Sequence, residues 1–281
     1  MTDNVRGALW MFGMVASLSL LAIAARELAP RHNPLELQAV RHGMSLVILL
    51  PFVIRAGLQS FRTTNLKLQL FRNASHFAAT VGWYTAVTLL PLAEVFAIEF
   101  TTPVWVALLA VLFLNEKMNI GRVVALVLGI AGILVILRPG FTEVGAGTWM
   151  MVATAFGFAV ANACTKGLTR TDSVLTVLLW MSMTQGLMAL VGASFDWTPP
   201  ILSEVPWLIV IGVTGLAAHY SLAKALTLAD VSLVNPVDFL RLPLIAVVGF
   251  LAYGERVDVL VLVGAAMIFV GNYYSIRRES R

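Results

Sequence analysis

Charged side chains are scarce in this sequence of 281 residues: Asp, Glu, Lys and Arg together make up only 12% of it. A soluble domain carries about twice that fraction, so these charges are too few to cover a water-facing surface. Hydrophobic residues make up 59% of the chain, and its mean hydropathy is +0.87. The composition therefore indicates that lipid surrounds most of the protein and that the bilayer is its principal partner.

Cysteine and the common catalytic motifs are also missing. The single Cys164 excludes a disulfide framework and a cysteine metal site. No glycine-rich phosphate loop precedes a Lys followed by Ser or Thr, which excludes that type of ATP site. No His-Glu-x-x-His or Gly-x-Ser-x-Gly motif occurs, so we expect neither an enzyme nor a cofactor. The basic residues lie singly between apolar runs, which argues against nucleic-acid binding.

Apolar stretches separated by charged residues, Pro and Gly predict an all-α membrane protein with ten transmembrane helices. The first stretch resembles a signal peptide, but its counterpart in the second half of the chain predicts that it is retained. The short loops carry twelve Lys and Arg residues on one side and four on the other. This bias predicts a multi-pass protein of the cell membrane with both termini in the cytoplasm. The predicted spans are 7–26, 35–55, 70–90, 93–114, 119–137, 146–166, 173–194, 205–225, 230–252 and 257–275.

The two halves of the chain resemble each other. The run LPLAEV at 90–95 aligns with LTLADV at 226–231, and at the same offset Tyr84 aligns with Tyr220. Residues 1–140 and 141–281 are therefore predicted to be two copies of a five-helix unit. An odd number of spans inverts the second copy relative to the first. Inverted repeats are typical of alternating-access carriers, whose substrate site lies near the midplane between the halves.

The order of these elements resembles the ten-helix EamA-type branch of the drug/metabolite transporter superfamily. The resemblance covers the whole chain and depends on Arg41, on the run at 90–94 that leads to Pro103, on the pairs at 115–116 and 254–255, and on glycines at 129, 132, 264 and 271. It implies cytoplasmic termini and a central cavity lined mainly by spans 1, 3, 4, 6, 8 and 9. Members of the family move amino acids, vitamins, nucleotide-like metabolites or drugs.

Ionisable and polar residues inside the spans mark the candidate substrate site, because each needs a partner, a wet cavity or a function at membrane depth. The three-residue spacing of Asp238 and Arg241 predicts that they pair. Prolines within spans 4 and 9 indicate interrupted helices, which often form binding sites. For Arg41 we favour a structural role, since the resemblance implies that span 2 is peripheral. The candidates are His76, Trp83, Tyr84, Glu99, Thr102, Asn162, His219, Tyr220, Asn235, Asp238 and Arg241.

These features predict a secondary carrier of small organic metabolites. Both charge signs together with Trp, Tyr and His favour amino acids or related zwitterions. The alternatives are a vitamin or a nucleoside-like metabolite and, less favoured, a cationic drug; a channel or a membrane scaffold is the alternative of another class. A desolvated carboxylate can exchange protons, and Glu99 is our candidate for proton coupling. The fused halves make a monomer sufficient.

Overall fold

The computed structural model describes residues 3–113, 119–138, 144–229, 236–256 and 258–279, and within these ranges it contains helices and no strand. Within the described residues each predicted span contains one helix or two consecutive helices, which confirms the all-helical fold; residues 114, 230–235 and 257 of the predicted spans 93–114, 230–252 and 257–275 lie outside the described ranges. The α-helices are α1 (Asp3–Leu28), α2 (Pro34–Ala56), α3 (Leu66–Leu89), α4 (Leu92–Glu99), α5 (Thr102–Phe113), α6 (Ile120–Leu137), α7 (Ala146–Leu168), α8 (Val174–Ala193), α9 (Val205–Leu228), α10 (Arg241–Tyr253) and α11 (Val259–Glu279).

Nine stretches of the described residues are long and apolar enough to cross a membrane. The helix α3 is not among them, although its 24 residues are long enough. Its polar residues lower the hydropathy, and they lie on one buried face at helical spacing: Gln69, Arg72, Asn73, His76 and Thr80. The span formed by α3 is therefore less apolar than the other nine because it supplies polar groups to the interior.

Local signals in the sequence explain where several helices begin. Asn33 caps α2: its side chain accepts from the backbone N–H groups of residues 35 and 36, and the Glu36 carboxylate accepts from the Asn33 N–H. This is a capping box, and Pro34 follows it at the first helical position. Asn65 caps α3 and Ser173 caps α8 in the same manner, each through one side-chain oxygen.

Contacts between helix ends define two sides of the bundle. The start of α1 meets the end of α9 at Gly7 and Ala229, and the start of α6 meets the end of α11 at Gly121 and Ser275. We call this the terminal side. On the opposite side, the far side, Arg26 at the end of α1 donates to the Leu90 carbonyl after α3. A Cβ added to Gly147, at the start of α7, would lie 2.9 Å from the Cβ of Leu89 at the end of α3 on this side, so α1 and α7 run in opposite directions.

The packing of the helices repeats between the two halves. In one pair of contacts α1 packs against α9, and in the equivalent pair α7 packs against α3. The second helices of each half, α2 and α8, pack against each other, as do the last helices, α6 and α11. This exchange of partners is what two inverted copies related by a pseudo-two-fold axis produce, and it confirms the inverted repeat.

Two glycines bring α6 and α11 close together. A Cβ added to Gly132 would lie 2.6 Å from the Gly264 carbonyl oxygen, and one added to Gly264 would lie 2.6 Å from the Gly132 carbonyl oxygen. Only glycine permits this reciprocal backbone contact. Small residues are the usual means by which membrane helices approach closely, so these two positions fix the packing of the last helices of the two halves.

The largest hydrophobic core lies in the far half of the bundle. It combines the end of α1, the end of α3, all of the apolar face of α4, and the starts of α9 and α11. Phe96 and Ile98 are fully buried in it. The terminal half holds smaller apolar clusters, one of them around Met11 and Met14 against α9. The interior is therefore sealed by apolar packing on the far side.

Candidate substrate site

The fourth span is broken between α4 and α5. Pro103 has no N–H group, so the Glu99 carbonyl lacks its usual helical donor. The Thr102 hydroxyl donates to that carbonyl at 2.6 Å, and the Asn272 amide donates to the Phe100 carbonyl at 3.2 Å. Side chains thus satisfy the freed backbone, as irregular structure at membrane depth requires. Thr102 is predicted to bind substrate; in the structure its hydroxyl satisfies the carbonyl that the helix break leaves without a donor.

The ninth span is interrupted as well. Residues 236–238 are helical, residues 239–240 form a turn, and α10 begins at Arg241. The two breaks face each other, because α4 packs against α10. One interrupted helix from each repeat therefore contributes to the same central region, as the midspan prolines predict.

Glu99, Asp238 and Arg241 meet between these two breaks. Arg241 Nη2 lies 3.0 Å from Glu99 Oε1, and Arg241 Nε lies 3.2 Å from Asp238 Oδ1. The ion pair between Asp238 and Arg241 that the spacing predicts is present. The Trp83 indole N–H donates to Glu99 Oε2 at 2.7 Å. We call these four residues the carboxylate cluster; the formal charges of its two acids and one base sum to −1.

Aromatic rings enclose the guanidinium of the carboxylate cluster. The Arg241 Cζ lies 4.7 Å from the centre of the Phe96 ring and 5.1 Å from that of Phe100. The Phe100 and Phe239 rings, one beside each break, are 4.5 Å apart. Arg241 is only 3% exposed, whereas the side chains of Glu99 and Asp238 retain 15% and 26% of their exposure. The base is thus enclosed, and its two acids are the more accessible members.

A second polar cluster lies on the buried face of α3, towards the terminal side. His76 contacts Gln185 of α8, with 3.1 Å between Nδ1 and Oε1. The His76 ring lies 5.8 Å from that of His219 on α9. Arg72 donates from Nε to the Thr165 hydroxyl and from Nη1 to Asn73 Oδ1, both at 3.0 Å. Helices of both repeats therefore supply this cluster.

Arg41 of α2 completes the second cluster. Its Nη2 lies 3.3 Å from His219 Nε2, and since arginine can only donate, this nitrogen of His219 accepts. The Arg41 side chain also covers Gly215 of α9, where an added Cβ would lie 2.4 Å from Nε. Arg41 is 5% exposed and points into the bundle. The resemblance implied a peripheral span 2, but α2 packs on both α8 and α9; a structural role for Arg41 stays a prediction.

We call this group the arginine cluster and define it by Arg41, Arg72, Asn73, His76, Gln185 and His219. Tyr84, which is fully buried, lies close to Arg41. It connects the arginine cluster to Trp83, whose ring packs edge-on against it at 5.4 Å. His76, Trp83, Tyr84, Glu99, His219, Asp238 and Arg241 are the candidates that the structure brings into this continuous polar interior.

Other candidates lie elsewhere. Tyr220 is 45% exposed and packs edge-on against Trp10 of α1 at 5.6 Å, because it is one residue from His219 and therefore about 100° away around α9. Asn162 of α7 is exposed and lies outside both clusters. Asn235 falls outside the residues that the structure describes. Neither Tyr220 nor Asn162 contacts a member of the two clusters through a hydrogen bond.

Four cluster members were not among the candidates from the sequence: Arg41, Arg72, Asn73 and Gln185. Gln185 is the single amide of α8, whose other polar aliphatic side chains are hydroxyls, and this is a usable signal. Arg72 and Asn73 share the polar face of α3 with His76. Arg41 lies on the buried stripe of α2 that also includes Ser45 one turn later. These local signals could therefore have identified all four.

The chain matches the model of the EamA-like transporter family twice, over residues 5–138 and 145–277. The S-adenosylmethionine uptake transporter of Rickettsia bellii (strain RML369-C) is 24% identical over 272 residues, which are 97% of this chain and 94% of that protein. The riboflavin transporter of Vibrio cholerae serotype O1 is 27% identical over 286 residues, covering 99% of this chain and 95% of that protein.

A further riboflavin transporter, from Brucella anthropi, is 29% identical over 85% of this chain and 87% of its own length. One solved crystal structure superposes with a TM-score of 0.68 over 97% of both chains at 17% identity, which shows a shared fold. Matches to the family in both repeats, over nearly the whole chain, agree with the helical pairing described above. The chain belongs to the EamA-like transporter family and is a multi-pass membrane transporter rather than an enzyme.

Proposed function

We propose that this chain is an uptake carrier for a nucleoside-bearing metabolite of the S-adenosylmethionine type. The observation that carries the proposal is the carboxylate cluster at the two facing helix breaks. Its formal charge of −1 and its accessible acids suit a cationic centre such as a sulfonium or an ammonium. The rings of Trp83 and Phe100 beside it suit a flat base.

The names of the relatives favour this class over the amino acids that the sequence led us to expect. The relatives reported above are named for S-adenosylmethionine and riboflavin, not for amino acids. The expectation of an amino-acid cargo therefore finds no support, whereas its alternative, a vitamin or nucleoside-like metabolite, fits. The expectation of mixed charge at the site is kept, since S-adenosylmethionine carries charges of both signs.

The carrier works, in this proposal, by rocking the two repeats about the central region. The largest apolar core lies in the far half, and we propose that the solute exchanges with the terminal side in this state. We place the terminal side in the cytoplasm, on the basis of the Lys and Arg bias of the loops. The far side would then face outward and must open for uptake.

Riboflavin is the second candidate. The observation in its favour is the row of rings at the broken spans: Phe239 lies 4.5 Å from Phe100 and 4.7 Å from Phe269, centre to centre. Such a row suits a larger neutral ring system. It makes no use of the surplus negative charge, which is why we place this candidate second.

Competition for uptake tests the proposal. Cells that express the chain would be supplied with radiolabelled S-adenosylmethionine, and unlabelled S-adenosylmethionine, riboflavin, adenosine and methionine would be added in turn. The proposal predicts saturable uptake above that of cells with an empty vector, with inhibition by S-adenosylmethionine and no inhibition by methionine. Uptake of labelled riboflavin alone would favour the second candidate, and uptake of neither would reject both.

A further inference from the structure

We propose that the arginine cluster is a binding site for an anionic group, a carboxylate or a similar oxyanion, carried on the transported solute. It holds two guanidinium groups: Arg41 lies 3.3 Å from His219, whose ring is 5.8 Å from that of His76, and Arg72 lies one turn before His76 on α3. Arg41 and Arg72 are 5% and 4% exposed. Among the described residues neither forms an ion pair with a carboxylate, so the cluster carries a formal charge of +2 with no counter-charge.

The contrast with Arg241 shows how unusual this is within the same protein. Arg241 is equally buried and is matched by two carboxylates, within 3.0 and 3.2 Å. Arg72 has only neutral acceptors, the Thr165 hydroxyl and the Asn73 amide oxygen. A charge at membrane depth is costly and is normally paired or functional. Two unmatched positive charges within one buried cluster are therefore best explained by an anion that binds there.

The neutral members of the arginine cluster also present donors. The side-chain amide nitrogens of Asn73 and Gln185 are buried, and neither has a hydrogen-bond partner among the described residues. Both side chains are at most 1% exposed. Buried donors without acceptors cost free energy, and a carboxylate or phosphate oxygen would satisfy them. The guanidinium fork is the preferred partner of such planar or multidentate anions.

The position of the arginine cluster fits a solute that also contacts the carboxylate cluster. His76 of the arginine cluster and Trp83 of the carboxylate cluster both lie on α3. They are seven residues apart, which is roughly 10 Å along the helix axis. A metabolite with a cationic or aromatic part and an anionic part could therefore contact both. This step rests on the proposed function for the choice of solute, but the charge imbalance itself does not.

The stability of the ligand-free protein provides the first test. If the two arginines hold the helices together, Arg72→Gln and Arg41→Gln should both lower the melting temperature. If they await an anion, each substitution removes an unmatched buried charge, and Gln can retain part of the hydrogen bonding. We expect each variant to melt about 2–4 °C above the wild type. The control Arg241→Gln leaves two carboxylates unmatched and should melt below it.

Ligand binding provides the second test, with the detergent-purified protein and two probes, S-adenosylmethionine and its decarboxylated form. We expect the wild type to bind the decarboxylated form about tenfold or more weakly, because charged hydrogen bonds are lost. In Arg72→Gln the two probes should differ by less than about twofold. Sodium acetate alone is a third probe: stabilisation of the wild type but not of Arg72→Gln would identify a free anion as the occupant.

Two results would overturn the anion site. One is a lower melting temperature for both Arg72→Gln and Arg41→Gln, in parallel with the Arg241→Gln control. The other is an equal preference for the carboxylated probe in the wild type and in Arg72→Gln. If neither nucleoside probe binds the wild type, the proposed function fails. The ligand-free comparison and the acetate titration would then still decide whether the arginine cluster binds an anion.

Discussion

Arg241 of the second repeat and Glu99 of the first form an ion pair, with 3.0 Å between Nη2 and Oε1, at the point where both of their spans are interrupted. The contact crosses the boundary between two halves that must move relative to each other in alternating access. It is also the place where Asp238, the second acid paired with Arg241, keeps 26% of its side-chain exposure. A change in the occupancy of this cluster therefore acts on both repeats at once.

Glu99→Gln tests the central role of this carboxylate. The substitution keeps the size of the side chain and removes its charge, so a cationic solute loses attraction and protons lose a binding group. We expect transport to fall at least tenfold at equal protein levels, with a flattened pH dependence in what remains. Glu27→Gln is the control, since that exposed acid accepts from Tyr253 at the far surface. Unchanged transport and an unchanged pH profile in Glu99→Gln would contradict this role.

Arg26 and Glu255 are expected to close the far side. The Arg26 guanidinium of the first repeat pairs with the Glu255 carboxylate of the second, which also accepts from the Leu92 N–H at 2.8 Å. These bonds must break before the far side opens, so Glu255→Gln should shift the population towards the open state. The reporter is a single thiol at Ala93, 5% exposed in the far-side core, in a Cys164→Ser background.

We expect Glu255→Gln to increase several-fold the rate at which a membrane-impermeant maleimide labels the thiol introduced by Ala93→Cys. Asp3→Asn, at an exposed acid on the terminal side, provides the control and should leave the rate unchanged. Equal rates in the parent and in Glu255→Gln would mean that this ion pair does not control opening of the far side.

Gly132→Ala should destabilise the bundle. The added Cβ would lie 2.6 Å from the Gly264 carbonyl, so α6 and α11 would have to separate. Overpacking of this kind costs about 1–3 kcal/mol, which a lower melting temperature would report. Gly43→Ala is the matched control in α2, because nothing lies within 4 Å of its added Cβ. If both variants melted alike, close packing at Gly132 would not be a determinant of stability.

Asp172, between α7 and α8, should make stability depend on pH. Burial raises the pKa of this carboxyl, but hydrogen bonds from Thr63, Gln69 and the Thr64 N–H outweigh it and hold the pKa below its ordinary value. A group whose pKa is lowered in the folded state stabilises the fold above its unfolded pKa of about 3.9. That contribution is lost as the pH falls from there towards the folded pKa.

The measurement is the melting temperature between pH 6 and the lowest pH at which unfolding stays reversible, where the wild type should lose stability below about pH 4. Asp172→Ala should be less stable at pH 6 by about 1–3 kcal/mol, because it leaves the Gln69 amide without its acceptor. It should also lose part of the pH dependence. If Asp172→Ala had the same dependence of melting temperature on pH as the wild type, Asp172 would not be the source of that dependence. The control is Asp3→Ala, at an exposed acid, whose profile should match that of the wild type.

Hydropathy predicted the spans because a membrane helix must be apolar over a fixed length, and α3 is the least apolar of them because it turns polar side chains into the interior. Pro103 predicted the break between α4 and α5 by simple backbone chemistry. The pairing of Asp238 with Arg241 followed from helical spacing. The contact of Arg241 with Glu99 did not, because it depends on how two repeats distant in sequence pack against each other.

The sequence also did not predict which way each helix face points. Tyr84 and Tyr220 align between the repeats, yet the first is fully buried and the second is 45% exposed. Alignment carries over the position along a helix but not the neighbours of each side chain. Arg41 shows the converse: the position of span 2 in the family suggested the periphery, whereas its long side chain reaches His219 inside the bundle.

Counterflow in proteoliposomes tests whether the chain carries S-adenosylmethionine by alternating access. Liposomes containing the purified protein and unlabelled S-adenosylmethionine would be diluted into a trace of the labelled compound. We expect label to accumulate transiently above the level in protein-free liposomes. Such accumulation requires a saturable site that is exposed alternately to each side. We expect loss of that accumulation in Glu99→Gln and its retention in Glu27→Gln. Accumulation with neither S-adenosylmethionine nor riboflavin, in protein that is verifiably folded, would contradict the proposed carrier function.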